Sequence, residues 1–235
     1  MNVLSDSPFA RTTAALAAWQ DSARRALQWA HPSWLAGVLD IDEAAARVLI
    51  QAVDPAHRAS SLSLLQGVGI ALPELESLAA PGPARLDALP PELGLRVLRI
   101  RALRFRRSEI RRIVDKTTRA SVVRWAGVPL DRLTGETPSE RLSAPDIGQL
   151  ARRFPIPPVA MLDDDALAFE GHALIRRDLR AGSPCSLLRL ALPRDAASAR
   201  ARWVNQVPAD IDPHGTDALI AQLPTLMPEW TWLFG

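Results

Sequence analysis

The stretch from Arg96 to Trp125, RVLRIRALRFRRSEIRRIVDKTTRASVVRW, carries eleven Lys/Arg against two acids, Glu109 and Asp115. Its apolar residues nevertheless return at helical intervals. Leu95, Leu98, Ala102 and Phe105 share one face at i, i+3, i+7 and i+10, and Val97, Ile100 and Leu103 lie off it. A helix that is apolar nearly all round is buried on more than one side. Its arginines then lay their stems along apolar surface and turn their heads to water or to a carboxylate. The pattern predicts a central helix inside a helical bundle. A strand reading rests on the partial alternation of Arg99–Arg106, which Ala102 breaks. Ile110, Ile113 and Val114 continue the spacing after Ser108, a candidate N-cap. Val122, Trp125 and Ala126 do so after Thr117-Thr118, which can turn and cap the next piece.

The rest of the chain is read around that helix. Pro8 to Ala30 reads as a first helix ended by His31-Pro32, and Ser33-Trp34-Leu35 as a buried corner. Asp42 to Ala52 is a second helix with Ala45, Val48, Leu49 and Ala52 inward. A third runs from Pro55 to Gln66, stopped by Gly67 and Gly69, and a short turn covers Pro73 to Ala79. Pro81-Gly82-Pro83 is the clearest break, dividing an N-terminal helical subdomain (1–80) from a central and C-terminal region (84–235). Ser143-Ala-Pro-Asp146 resembles a capping box opening a helix to Arg153. Asp163-Asp164-Asp165 opens a long helix to Arg180, with Leu167, Leu174, Ile175 and Leu179 inward. Ser183-Pro184 to Leu192, Arg194 to Asn205 and Thr216 to Leu223 follow. The expected fold class is all-α, with the two regions together forming a single compact multi-helix domain.

Composition excludes more than it assigns. At 235 residues and 48% hydrophobic the chain can bury a substantial core, and its net charge of +2 means that acids elsewhere offset the basic stretch. One cysteine, Cys185, excludes an internal disulfide and a cysteine-built zinc site. No signal-peptide pattern opens the chain, and Ala59–Pro73 is too short and polar to span a bilayer. A reducing cytosol is therefore expected. There is no nucleophile elbow and no phosphate loop. His31, His57, His172 and His214 are dispersed, and the three acids at 163–165 suit a helix start better than a magnesium site. No catalytic, cofactor-binding or metal-binding residue is nominated, and the expectation is a protein that is not an enzyme.

Nucleic-acid binding is the alternative, as a helix-turn-helix-like or regulatory protein using the Arg-rich segment 96–124. Against it, Arg111, Arg112 and Asp115-Lys116-Thr117 occupy places where that motif wants small residues and a glycine turn. Asp115 can also pair with Arg111 and Arg119, making part of the charge a solvated face.

Three blocks carry a family resemblance. They are Ala30-His-Pro-Ser-Trp-Leu35, Leu103-Arg-Phe-Arg-Arg-Ser-Glu-Ile-Arg-Arg112, and the ending Leu226-Met-Pro-Glu-Trp-Thr-Trp-Leu-Phe234. On these the chain resembles the SctK family (YscK- and OrgA-like proteins) of bacterial type III secretion systems, most closely its Hrp-type members from plant-associated bacteria. The resemblance implies a helical, non-enzymatic adaptor of the cytoplasmic sorting platform. Its partners would be the SctD-type inner-membrane ring protein and the SctQ-type pod protein, and through them, indirectly, the secretion ATPase complex. It would be cytoplasmic, recruited to the cytoplasmic face of the inner membrane at the secretion apparatus, with no membrane insertion and no nucleic acid. Candidate partner-binding residues are Arg104, Arg106, Arg107, Arg111 and Arg112, whose forks suit carboxylates unless they pair internally. Trp230, Trp232 and Phe234 either anchor a partner or dock the tail.

Overall fold

The computed structural model describes residues 7–53, 58–135, 145–179, 185–194 and 201–235. Among them every regular element is an α-helix or a 3-10 turn, so the fold is all-α.

Helix α1 (Pro8–Arg24) starts on Ser7, whose hydroxyl accepts the Ala10 N–H, and α2 (Ala26–Trp29) continues it after a break. The expected single helix to Ala30 is divided because Arg25 leaves helical geometry at φ −108°, ψ 10°. Ser33, Trp34 and Leu35 belong to a further helix, α3 (Pro32–Leu39), capped by the His31 ring; they do not make a corner. Next come α4 (Glu43–Ala52), α5 (Arg58–Gly67) and α6 (Leu75–Ala79). Gly69, at φ +74°, lies in the left-handed region just beyond α5 and stops it as its sequence suggests. Pro55 lies outside the described residues.

The orientation expected for α4 is corrected. Ala46 is its only fully buried residue, Ala45 is half-buried, and Val48, Leu49 and Ala52 are exposed. The apolar arc of α4 is wider than the single surface, mainly α3, that covers it.

The arginine-rich helix α7 (Pro91–Phe105) begins with proline in its first turn, where a missing N–H costs nothing. Ten of its fifteen residues are buried, among them Arg101 and Arg104. The longest later helix, α12 (Asp164–Leu179), lies along it. Gly171 makes that approach possible, since a Cβ there would stand 2.5 Å from the Leu98 carbonyl carbon and 3.0 Å from its Cα. Leu98, Leu103, Phe105, Leu167, Leu174 and Trp203 belong to the main core around this pair. Leu167, Leu174 and Ile175 are buried and Leu179 is half-buried, while Arg180 lies outside the described residues. A second, smaller cluster holds Trp19, Leu27, Leu64 and Leu65 with Leu187 and Leu190 from far along the chain.

Between α7 and α12 the elements are short: α8 (Arg107–Ile110), α9 (Lys116–Ala126), α10 (Leu130–Thr134) and α11 (Ile147–Leu150). Two expected caps are reassigned. Asp115, not the threonine pair, starts α9 by accepting the Thr118 N–H at 2.6 Å. Ser108 sits inside α8 and bridges to the next segment, donating to the Pro145 carbonyl and accepting the Ile147 N–H. Asp146, which the expected capping box would place inside the first turn, is itself the N-cap of α11, and the helix ends at Leu150, three residues before Arg153. Ser143 and Ala144 lie outside the described residues.

In the last stretch, Leu188–Ala191 and Arg202–Asn205 are 3-10 turns where α-helices were expected. Ser183, Pro184 and residues 195–200 lie outside the described residues. Helix α13 (Gly215–Leu226) contains the expected Thr216–Leu223, and the tail closes with α14 (Thr231–Phe234).

Candidate interaction surfaces and the buried arginine network

The helical repeat that places Leu98 and Phe105 in the core also carries arginines inward. Arg106 is fully buried and forms a two-pronged pair with the equally buried Glu170 of α12, Nε to Oε2 and Nη2 to Oε1, each at 2.7 Å. Its Nη1 donates to Glu109 Oε2 and to the Pro157 carbonyl, both at 2.9 Å. The Trp203 indole completes the site, donating to Glu170 Oε1 at 3.2 Å while its ring lies 5.4 Å from the guanidinium. Burial pushes the Glu170 carboxyl upward against the pull of Arg106. Desolvation alone would lower Arg106, but Glu170 and Glu109 reverse this and hold it charged. The two-pronged geometry keeps the pair ionic.

A second knot joins α7, α12 and α13. Buried Arg101 donates to Asp178 at 2.8 Å and to the Thr216 hydroxyl at 3.1 Å. Its Nη1 lies 2.9 Å from Asp212 Oδ2, close enough for an ion pair but aligned too poorly for a hydrogen bond. Arg177 shares Asp178 through the other carboxylate oxygen.

The candidate arginines therefore separate. Arg104, Arg106 and Arg107 are buried and cannot meet a partner: Arg104 reaches Gln222, Arg106 pairs as above, and Arg107 donates to the Arg104 carbonyl at 3.1 Å. Arg111 and Arg112, one turn further on, are exposed. Arg111 donates to the Thr134 carbonyl at 2.6 Å, and Arg112 stands 4.0 Å from Asp146. The tail divides likewise. Phe234 is buried, Trp230 is half-buried, and Trp232 is 38% exposed with its ring 5.8 Å from that of Trp230. Buried Arg85 holds the tail down, donating to the Leu78, Ala79 and Leu233 carbonyls. Desolvation, then the neighbouring Arg11, lowers its affinity for the proton. Arg85 was not foreseen, because an isolated arginine between Ala84 and Leu86 carries no pattern.

Two exposed surfaces of different chemistry result. One is apolar, on the α3–α4 hairpin, with Val38, Leu39, Val48 and Leu49 open to solvent. The other is predominantly basic, spread over residues 112–153, with Arg112, Lys116, Arg119, Arg124, Arg132, Arg152 and Arg153 exposed against the exposed acids Asp115 and Asp131, and with Val114 91% exposed among them.

A cleft of about 560 Å³ lies between the loop 69–74 and the Pro83 region and reaches Asp87 and Cys185. Cys185 is buried with its thiol donating to the Pro83 carbonyl, and burial, then Asp87, pushes that thiol well up, which disfavours the thiolate. Asp87 accepts the Leu188 and Leu187 N–H groups at 2.7 and 3.2 Å, yet burial outweighs these bonds and raises it to about 7. With its folded value above its unfolded one, Asp87 favours folding fully below the unfolded value, and this contribution is lost as pH rises toward 7. Wild-type protein should therefore have a higher urea midpoint near about pH 5 than near about pH 8, and Asp87→Asn should flatten the difference. An unchanged slope in Asp87→Asn would exclude this assignment.

Among the described residues no three His, Cys, Asp or Glu side chains gather as a metal site, and no helix is long and apolar enough to cross a membrane. Comparison with curated proteins and with solved structures returns no significant match. Comparison with protein families matches residues 6–229 to the bacterial type III secretion protein family HrpB4. That span runs from the start of α1 to the tail and takes in both the buried arginine network and the two exposed surfaces, and so the chain belongs to the HrpB4 family of bacterial type III secretion proteins.

Proposed function

We propose that this chain is an SctK-type adaptor of the sorting platform, joining an SctD-type ring protein to an SctQ-type pod protein and thereby holding the ATPase complex. In this reading it is a cytoplasmic protein recruited to the inner-membrane face of the secretion apparatus, and it performs no catalysis. The observation that supports the reading is the pair of exposed surfaces, one apolar on α3–α4 and one basic on α8–α11, carried by one helical member of a secretion family. A bridge needs two dissimilar faces, because chemically different patches keep one partner from occupying both sites.

The test is recovery of ring- and pod-type proteins from secreting cells with tagged wild-type chain, Val48→Asp/Leu49→Asp, and Arg111→Glu/Arg112→Glu. Each double variant should lose one partner and keep the other, with helical circular dichroism unchanged. Loss of both partners together, or of neither, would remove the bridging role.

A further inference from the structure

Beside the basic surface lies a small apolar cleft, about 190 Å³, walled by Ile147, Ala151, Ile156, Pro157 and Pro158. Arg112 stands at its edge, and Arg152 and Arg153 follow directly on the Ala151 wall; all three are exposed. The one acid lining it, Glu109, is already engaged, Oε2 by Arg106 and Oε1 by the Val159 N–H at 2.6 Å. Another carboxylate, Asp146, is 4.0 Å from Arg112 and accepts the Gly148 N–H. The cleft thus combines an apolar seat with the Arg112 guanidinium, and two further exposed arginines follow the Ala151 wall in the chain.

We infer that this cleft is a docking site for an acidic protein segment, which seats one aliphatic side chain between Ile147 and Ile156 and lays flanking carboxylates on Arg112, Arg152 and Arg153. The inference rests on the adaptor reading and specifies the partner chemistry of its basic face. The walls are mostly aliphatic and suit an aliphatic side chain. Arginine forks match carboxylates in pairs. A nucleic-acid phosphate fits less well, because the helix starts that offer backbone donors here are occupied. Asp115 caps α9, held below the usual carboxylate range by its hydrogen bonds to Thr118, and Asp146 caps α11.

The experiment uses the full chain, a fluorescent peptide with one leucine flanked by glutamates, a mixed-sequence DNA duplex, and the co-recovery assay above. Two variants change only exposed positions. Arg112→Glu/Arg152→Glu/Arg153→Glu reverses the rim, and Ala151→Phe fills the seat. Each should weaken the peptide by roughly tenfold or more and reduce recovery of one partner, with circular dichroism unchanged. Equal peptide binding by wild type and both variants, no binding by wild type, or tighter binding of the duplex than of the peptide would each overturn the inference. If wild type and both variants recover the same partner equally, the cleft assignment falls and the adaptor reading stands. If wild type recovers neither ring nor pod protein, the adaptor reading falls.

Discussion

Arg106→Ala should lower the unfolding free energy by about 3–5 kcal/mol, the cost typical of breaking a buried pair by removing one partner. Glu170 would keep only the Trp203 N–H as a donor at full burial, with no cation to balance it. For a domain whose total stability is about 5–15 kcal/mol, that loss threatens folding itself. Removing both charges is different. Arg106→Met with Glu170→Leu replaces a desolvated pair by apolar side chains of similar length and should recover most of the loss. The measurement is the urea midpoint and slope of wild type, single and double variants. A single-variant loss under about 1 kcal/mol would mean that water reaches Glu170, and the picture of a dry pair would be wrong.

Gly171→Ala sets two principles against each other. Alanine in a helix interior is favoured over glycine by about 1 kcal/mol. Against that, the added methyl would overlap the backbone of Leu98, and α7 cannot retreat because it is buried on several sides. Overpacking of this kind typically costs about 1–3 kcal/mol and more where backbone is the obstacle. Packing should win, giving a net loss of about 2 kcal/mol or more. Gly82→Ala is the control. Its nearest obstacle is the Ala80 carbonyl oxygen at 3.8 Å, so the substitution should be near neutral. Thermal unfolding of both variants decides the matter, and a stabilised Gly171→Ala would show that α7 and α12 do not pack this closely in solution.

The residues of α7 announced their burial because apolar side chains occur on every face of the helix, a pattern that only an interior position satisfies. They could not announce which arginines go inside with them. Arg106, Arg107, Arg111 and Arg112 are alike in the chain, yet Glu170 lies 64 residues beyond Arg106, and nothing local marks it as the partner. Caps were misplaced for a related reason. Asp115, Thr117 and Thr118 can all cap, and the choice depends on where the backbone first turns helical. The exposed face of α4 was hidden because periodicity reports an apolar arc without saying whether a neighbour covers it.

Helical class, the buried centre and the absence of a nucleophile motif or phosphate loop were present in the sequence by itself, since spacing and residue type act locally along the chain. The apolar cleft beside the basic surface, the uncovered α4 face and the assignment of each arginine to core or surface were decided only by the tertiary structure. Burial and charge pairing are properties of three-dimensional neighbours, and the local pattern of a helix does not say which neighbours the rest of the chain brings to it.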